Sequence, residues 1–191
     1  SSAASDVYKR QVKNNAIGVR ALTANTTGDT NNAVGYQTLD ANTTGSQNCA
    51  FGNSALGANT TADDNTAVGY NALVSNTTGT RNVAVGSLAL DANTTADNNI
   101  AIGAQALTAN TTGTKNTSVG TFSLDANTTA DENTAIGYNA LTANTTGLYN
   151  TAAGSSALAA NTTANRNSAF GRASLNSSTT GEDNTAIGYY A

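Results

Sequence analysis

The feature that most constrains this chain is a repeat of 17 residues that begins at Asn14 and continues to Ala191. Ten full units are followed by a partial unit of eight residues, and the first unit covers residues 14–30. Position 1 is Asn and position 5 is Gly in all eleven units, and position 9 is Leu in all ten full units. A fixed period is the signature of stacked structural units, so each repeat predicts one coil of a solenoid.

The composition of the unit favours strands over helices. Seventeen residues are too few for the two-helix units of helical solenoids, and Gly, Asn and adjacent Thr residues are poor helix formers. Residues 134–137 are typical of a short strand that ends at a Gly corner, and residues 140–142 predict a second strand before an Asn-Thr-Thr corner. The sequence therefore predicts an all-β fold, a parallel β-solenoid or β-roll, whose eleven coils form a rod about 50 Å long at ~4.8 Å per coil.

Stacking converts each position of the repeat into a column of like side chains. We expect the apolar residues of position 4 and the Leu residues of position 9 to point inward, with Ala at positions 3, 8 and 11 filling a narrow lumen. The Asn residues of positions 1 and 12 predict two ladders of hydrogen-bonded amides at the corners. Each coil then buries little apolar surface against the entropy of its backbone, which predicts self-association as a homotrimer or an end-to-end filament.

A slower alternation lies on top of the repeat. Position 15 alternates between Gly and Ala from the second unit to the tenth, and the charge that follows it alternates as well, from Asp63 and Asp64 to Arg81 and then Asp97. In a stack each basic corner then lies between acidic ones. Exposed charge pairs contribute little energy, so we interpret them as control of register and as the trace of an ancestral 34-residue pair.

The composition excludes several function classes. The chain has no His and a single Cys, Cys49, so it lacks the commonest general base, any intrachain disulfide and any Cys-cluster metal site. A net charge of −4 disfavours nucleic acid, and no apolar stretch is long enough to cross a membrane as a helix. We therefore expect no enzyme activity, no cofactor, no metal ion, no nucleic-acid partner and no membrane insertion within this segment.

Residues 1–13 do not follow the repeat. The run Asp-Val-Tyr-Lys-Arg-Gln at residues 6–11 resembles the translation of a transposon-end sequencing adaptor. We expect residues 1–13 to be an artefactual tail on a metagenomic fragment, and residues 14–191 to be the solenoid.

The repeat also resembles known surface proteins. Residues 133–147, Asn-Thr-Ala-Ile-Gly-Tyr-Asn-Ala-Leu-Thr-Ala-Asn-Thr-Thr-Gly, and residues 65–73 are similar to repeats of bacterial and phage tail-fibre-type proteins. The Asn-[Thr/Ser]-Ala-[Ile/Val]-Gly core is similar to the head repeat of trimeric autotransporter adhesins. The resemblance implies a left-handed, trimeric β-roll outside the cell, on the cell surface or in a virion fibre.

These observations predict a structural repeat that forms the shaft of a tail fibre, pilus-like filament or adhesin. The alternative is an adhesive head that binds a surface carbohydrate or receptor. Ice binding by the Thr-Thr pairs is a minor alternative, because adjacent Thr residues point to opposite sides and only one column would face outward.

The Asn-Thr-Thr corners are also N-glycosylation sequons, and three of them carry Asp two residues upstream of the Asn. Polar corners generate sequons without any modification, so an unmodified ladder is the alternative. Two weaker sequons begin at Asn116 and Asn176. The predicted glycosylation sites are Asn25, Asn42, Asn59, Asn76, Asn93, Asn110, Asn127, Asn144 and Asn161.

Overall fold

The computed structural model of the protein describes residues 13–191, and these residues form a parallel β-solenoid with one short strand in each coil. This confirms the predicted fold class. The predicted artefactual tail lies outside the described residues, apart from Lys13. The strands are β1 (Asn15–Ile17), β2 (Asn32–Val34), β3 (Cys49–Phe51), β4 (Thr66–Val68), β5 (Val83–Val85), β6 (Ile100–Ile102), β7 (Thr117–Val119), β8 (Thr134–Ile136), β9 (Thr151–Ala153), β10 (Ser168–Phe170) and β11 (Thr185–Ile187).

The strands stack in chain order into one sheet, and each strand pairs with the equivalent residues of the next. In the middle of the sheet, Ala84 of β5 lies opposite Ala101 of β6. Hydrogen bonds between coils continue outside the strands: the amide of Leu90 donates to the carbonyl of Ala106 at 3.0 Å. The repeat therefore stacks in register around the whole circumference of the coil.

The predicted second strand of each coil is wrong. Residues 140–142 form a turn, because the backbone on either side of Ala140 takes a left-handed conformation, with φ of 55° at Asn139 and 53° at Leu141. Positions 7, 9 and 17 are left-handed in this way throughout the stack, although none of these residues is Gly. A left-handed residue costs about 1–2 kcal/mol for an L-amino acid, so tertiary packing holds these corners in place.

The interior is narrower than the sequence suggested. The Leu column is buried as predicted, with no exposure from Leu39 to Leu158, and so are the Ala residues of positions 3 and 8. The apolar column of position 4 does not point inward, because side chains alternate along a strand and the Ala of position 3 already faces the lumen. Ile102, for example, is 40% exposed. The Ala residues of position 11 are also only half-buried where they lie inside the stack, as at Ala109.

The Gly of position 5 makes the corner after each strand. Its φ ranges from +124° to +142°, a region that strongly favours Gly. At Gly103, an added Cβ would lie 2.6 Å from the carbonyl carbon of Gly120 in the next coil. Conformation and close stacking together therefore require Gly at this position of every coil.

Candidate functional surfaces

The Asn residues of position 12 form a continuous ladder inside the solenoid. Nδ2 of Asn93 donates to Oδ1 of Asn76 in the preceding coil at 2.9 Å and to the carbonyl of Ala96 in its own coil at 3.2 Å. Nδ2 of Asn110 donates in turn to Oδ1 of Asn93 at 3.2 Å. The predicted amide ladder at this corner is confirmed.

The Asn residues of position 1 form a second ladder that runs mainly through the backbone. The backbone amide of Asn82 donates to Oδ1 of Asn65 at 2.9 Å, and Nδ2 of Asn82 donates to the carbonyl of Ala96 at 2.8 Å. The carbonyl of position 15 therefore accepts hydrogen bonds from both ladders. This shared acceptor joins the two ends of the polar corner in each coil.

The position 12 ladder stops one coil before the last full repeat. Ser178 stands there instead of Asn, so no amide of the tenth coil reaches the ladder. Oδ1 of Asn161 is consequently a buried side-chain oxygen without a hydrogen-bond partner, the one such atom found among residues 13–191.

This placement bears directly on the predicted glycosylation sites. Eight of the nine, from Asn42 to Asn161, are fully buried, and Asn25 at the first coil is half-buried. A glycan would be joined to Nδ2, the atom that forms the ladder, and would remove its hydrogen bonds. Asn116 is buried in the other ladder and Asn176 is half-buried. Glycosylation stays a prediction, and the folded coil disfavours it.

The residues of positions 2 and 4 in β1–β11 point away from the lumen and form a surface that we call the outer sheet face. Its position 4 column holds only apolar residues. The four that are most exposed within coils 2 to 10 are between 40% and 46% exposed. That column is Ile17, Val34, Phe51, Val68, Val85, Ile102, Val119, Ile136, Ala153, Phe170 and Ile187.

Sequence reasoning missed this face, although the signal was present. An invariably small residue at position 3 and a larger apolar residue at position 4 cannot both point inward from one short strand. Cys49 lies on the same face at position 2 and is half-buried, and burial raises the pKa of its thiol. The thiol of Cys49 therefore does not fill the interior of the coil.

Charged residues avoid the outer sheet face. Every Asp and Glu between residues 14 and 191 occupies position 10, 16 or 17, and neither position 2 nor position 4 holds a charged residue in any coil. The face therefore offers apolar groups, hydroxyls and a few amides without a formal charge.

The acidic residues of the fifth and seventh coils bond to both neighbouring coils. In the fifth coil, Oδ1 of Asp97 accepts from the amide of Thr80 below it at 2.6 Å, and Oδ1 of Asp91 accepts from Oγ1 of Thr108 above it at 2.7 Å. The seventh coil repeats the arrangement: its Asp131 bonds to the coil below, and its Asp125 bonds to the coil above. The charge alternation thus supplies directed hydrogen bonds between coils.

The basic residues of position 17 each bond in one direction only, toward the following coil. Arg81 donates from Nε to Oδ1 of Asn98 at 2.9 Å, and Lys115 pairs with Glu132 at 2.9 Å. At the last full repeat, Nε of Arg166 lies 2.6 Å from Oδ1 of Asp183 and holds the pKa of that carboxyl below its ordinary value. These groups are exposed to solvent, so each contact adds little to stability.

A row of tyrosines borders the outer sheet face at position 6. The rings of Tyr36, Tyr70 and Tyr138 are about half exposed, and the residue after each is Gln or Asn. The edge of the Phe122 ring packs against Tyr138 with centroids 6.2 Å apart. Aromatic faces beside amides form an amphipathic surface of the kind that sugars can contact.

The Thr-Thr pairs present one outward column, as predicted. Position 13 is half-buried inside the stack, and Oγ1 of Thr94 there donates to the carbonyl of Thr111 at 3.4 Å. Position 14, represented by Thr95, is exposed in every coil that contains it. A single column does not supply the two-dimensional hydroxyl array that the minor ice-binding alternative needs.

Among residues 13–191, no group of three or more His, Cys, Asp or Glu side chains comes close enough to hold a metal ion. The same part of the chain contains no helix that is long and apolar enough to cross a membrane. No protein-family model, curated protein or solved structure matches this chain.

Proposed function

We propose that the chain is a non-enzymatic structural repeat that forms the shaft of a fibre outside the cell. The observation that carries this proposal is the register of the stack: each residue of a strand lies opposite the residue 17 positions further on, through all eleven strands. Each further repeat in the sequence therefore adds one coil to the length of the rod. The resemblance of the units to fibre and adhesin repeats supports a location on the cell surface or on a virion.

The shaft proposal makes a quantitative prediction about length. Three extra copies of residues 82–115, inserted in tandem after Lys115 in the full chain, add six coils and should lengthen the rod by about 29 Å. Electron microscopy of the purified proteins measures the change, and circular dichroism per residue should stay constant. A scrambled insertion of the same composition and length is the control. A lengthened chain that gives an unlengthened particle would refute the proposal.

The external location has its own test. Antibodies raised against the purified rod should label filaments on intact cells or virions of the source without permeabilisation. Labelling that appears only after the cells are opened would contradict the location and leave the rod itself unaffected.

A second candidate function, an adhesive surface for carbohydrate, is favoured by the tyrosine row. Because the chain contains no Trp, its fluorescence comes from its seven tyrosines, which include the three of the row. A polysaccharide ligand that stacks on the row should change this fluorescence, and Tyr70→Ala should weaken the binding. Tyr149→Ala is the matched control, because Tyr149 is similarly exposed at position 17, away from the row. Equal effects of both substitutions would exclude the row as a binding surface.

A further inference from the structure

The outer sheet face has the features of a contact surface rather than of a solvated one. A strand face in water usually places polar residues outward and apolar residues inward. Here the small residue of position 3, Ala in every coil but the seventh, which has Ser118, faces the lumen. The larger Val, Ile or Phe of position 4 faces outward in ten of the eleven coils, with Ala153 the exception. The larger apolar residues therefore lie on the outside of the coil.

The area of this face suits a specific protein contact. Eleven strands at about 4.8 Å spacing, with two outward columns spanning ~10 Å, give a surface of ~500 Å² on one chain, or ~1,000 Å² when two such surfaces meet. This reaches the lower limit for specific association. Position 4 supplies the apolar column of this surface, and position 2 adds mainly hydroxyl and amide side chains.

The spacing of the position 4 side chains indicates which kind of partner fits the outer sheet face. The position 4 side chains recur with the strand spacing over the whole length, so they form a regular ridge. A surface that fits this ridge along all eleven coils must have the same spacing, which a second copy of the chain provides. The absence of charge from positions 2 and 4 also removes the repulsion that would arise when two identical faces meet.

We propose that copies of this chain associate side by side through the outer sheet face, parallel and in register, so that each coil contacts the equivalent coil of its neighbour. The proposal deepens the shaft function and rests on it, because it requires a rod with a continuous face. The charged residues of positions 10, 16 and 17 then stay in water.

The first experiment compares three versions of the full chain by size-exclusion chromatography with light scattering. The unaltered protein should have a mass of two or three times 19.0 kDa. Ile102→Lys places a charge in the middle of the face and should reduce the mass to that of one chain, with an unchanged circular dichroism spectrum. Thr95→Lys, at an exposed position on another side, should leave the mass unchanged.

A second measurement keeps the proposal falsifiable if the Ile102→Lys variant does not fold. Cys49→Ser removes the native thiol, and Asn53→Cys places a nitroxide label in the same coil, beside the face. In a parallel assembly in register, the labels on neighbouring copies lie at the same height. In an antiparallel one, the third coil lies opposite the ninth, which separates the labels along the axis by about 29 Å.

An axial offset near that value would overturn the parallel arrangement. A single-chain mass for the unaltered protein at the highest soluble concentration would overturn the association altogether. An equal loss of mass in both lysine variants, or an Ile102→Lys variant that folds and stays associated, would overturn the assignment to this face. In each case, rods of the expected length in micrographs would leave the shaft function standing, whereas particles without rod shape would refute both.

Discussion

Ser178 interrupts the position 12 ladder, and Ser178→Asn should therefore stabilise the protein. The local backbone is already suitable: the amide of Ser178 donates to the carbonyl of Leu175 at 3.2 Å, and the equivalent bond from Asn161 to Leu158 measures 3.1 Å. The new Nδ2 would donate to Oδ1 of Asn161, the oxygen that now lacks a partner, and to the carbonyl of Gly181.

The magnitude follows from the two bonds gained. An unpaired buried acceptor costs about 1–3 kcal/mol, and a further hydrogen bond contributes roughly 0.5–1.5 kcal/mol. Ordering the Asn side chain in the tenth coil costs about 1 kcal/mol, so we expect a net gain in the free energy of unfolding of ~0.5–3.5 kcal/mol. The gain should be concentrated in the ninth and tenth coils, since a repeat contacts only its neighbours.

Urea unfolding of the full chain measures the total effect, and amide hydrogen exchange locates it. Ser177→Asn is the matched control, because Ser177 is exposed at position 11, outside the ladder, and should change stability by less than ~0.5 kcal/mol. Equal stabilities for the two variants, or slower exchange at the opposite end of the rod, would refute the reasoning about the ladder.

Gly103→Ala should destabilise the protein by about 3 kcal/mol or more through its φ and its contact with the next coil, whereas Gly57→Ala, at a position where other coils carry side chains, should cost less than ~1 kcal/mol in thermal or urea unfolding. Peptide mass mapping of material from the native source should show the eight sequon residues from Asn42 to Asn161 unmodified, and hexose or hexosamine on any of these eight would contradict the buried ladder. Because Arg166 lowers the pKa of Asp183, the pair stabilises the last coils above pH 3.8 and this contribution is lost as the pH falls through the lowered pKa. Asp183→Asn should flatten this acid dependence in hydrogen exchange. Because burial raises the pKa of the Cys49 thiol, iodoacetamide at pH 8 should alkylate it more slowly in the folded protein than in urea.

The repeat alone was sufficient to predict the coil, the stacking register and the buried Leu column. A fixed period constrains all coils at once, so errors in one unit are averaged over the others. The Asn ladders were predictable for the same reason, since a buried amide that bonds to its own copy explains an Asn that recurs in every coil at position 1 and in nine of ten at position 12.

The direction of position 4 could not be read from hydrophobicity. Ile102 is more apolar than Ala101, but the lumen is too narrow for it once Leu107 is inside, so the smaller residue faces inward. The prediction of a second strand in each coil was wrong for a different reason. Leu141 adopts a left-handed backbone conformation that Leu rarely takes, and no local sequence pattern indicates this conformation.

The opposed carboxylates of the fifth and seventh coils make the central part of the stack alternate strictly between two kinds of coil. Asp91 bonds upward and Asp97 bonds downward, and each finds a Thr only because the coils on either side are of the other kind. Loss of the single coil 99–115 would set Asp97 beside Asp131, about 4.8 Å apart with no hydroxyl between them. Loss of the two coils 99–132 would instead bring Thr142 to the place of Thr108. Around these coils, the repeat array can therefore gain or lose coils without opposing two carboxylates only in pairs.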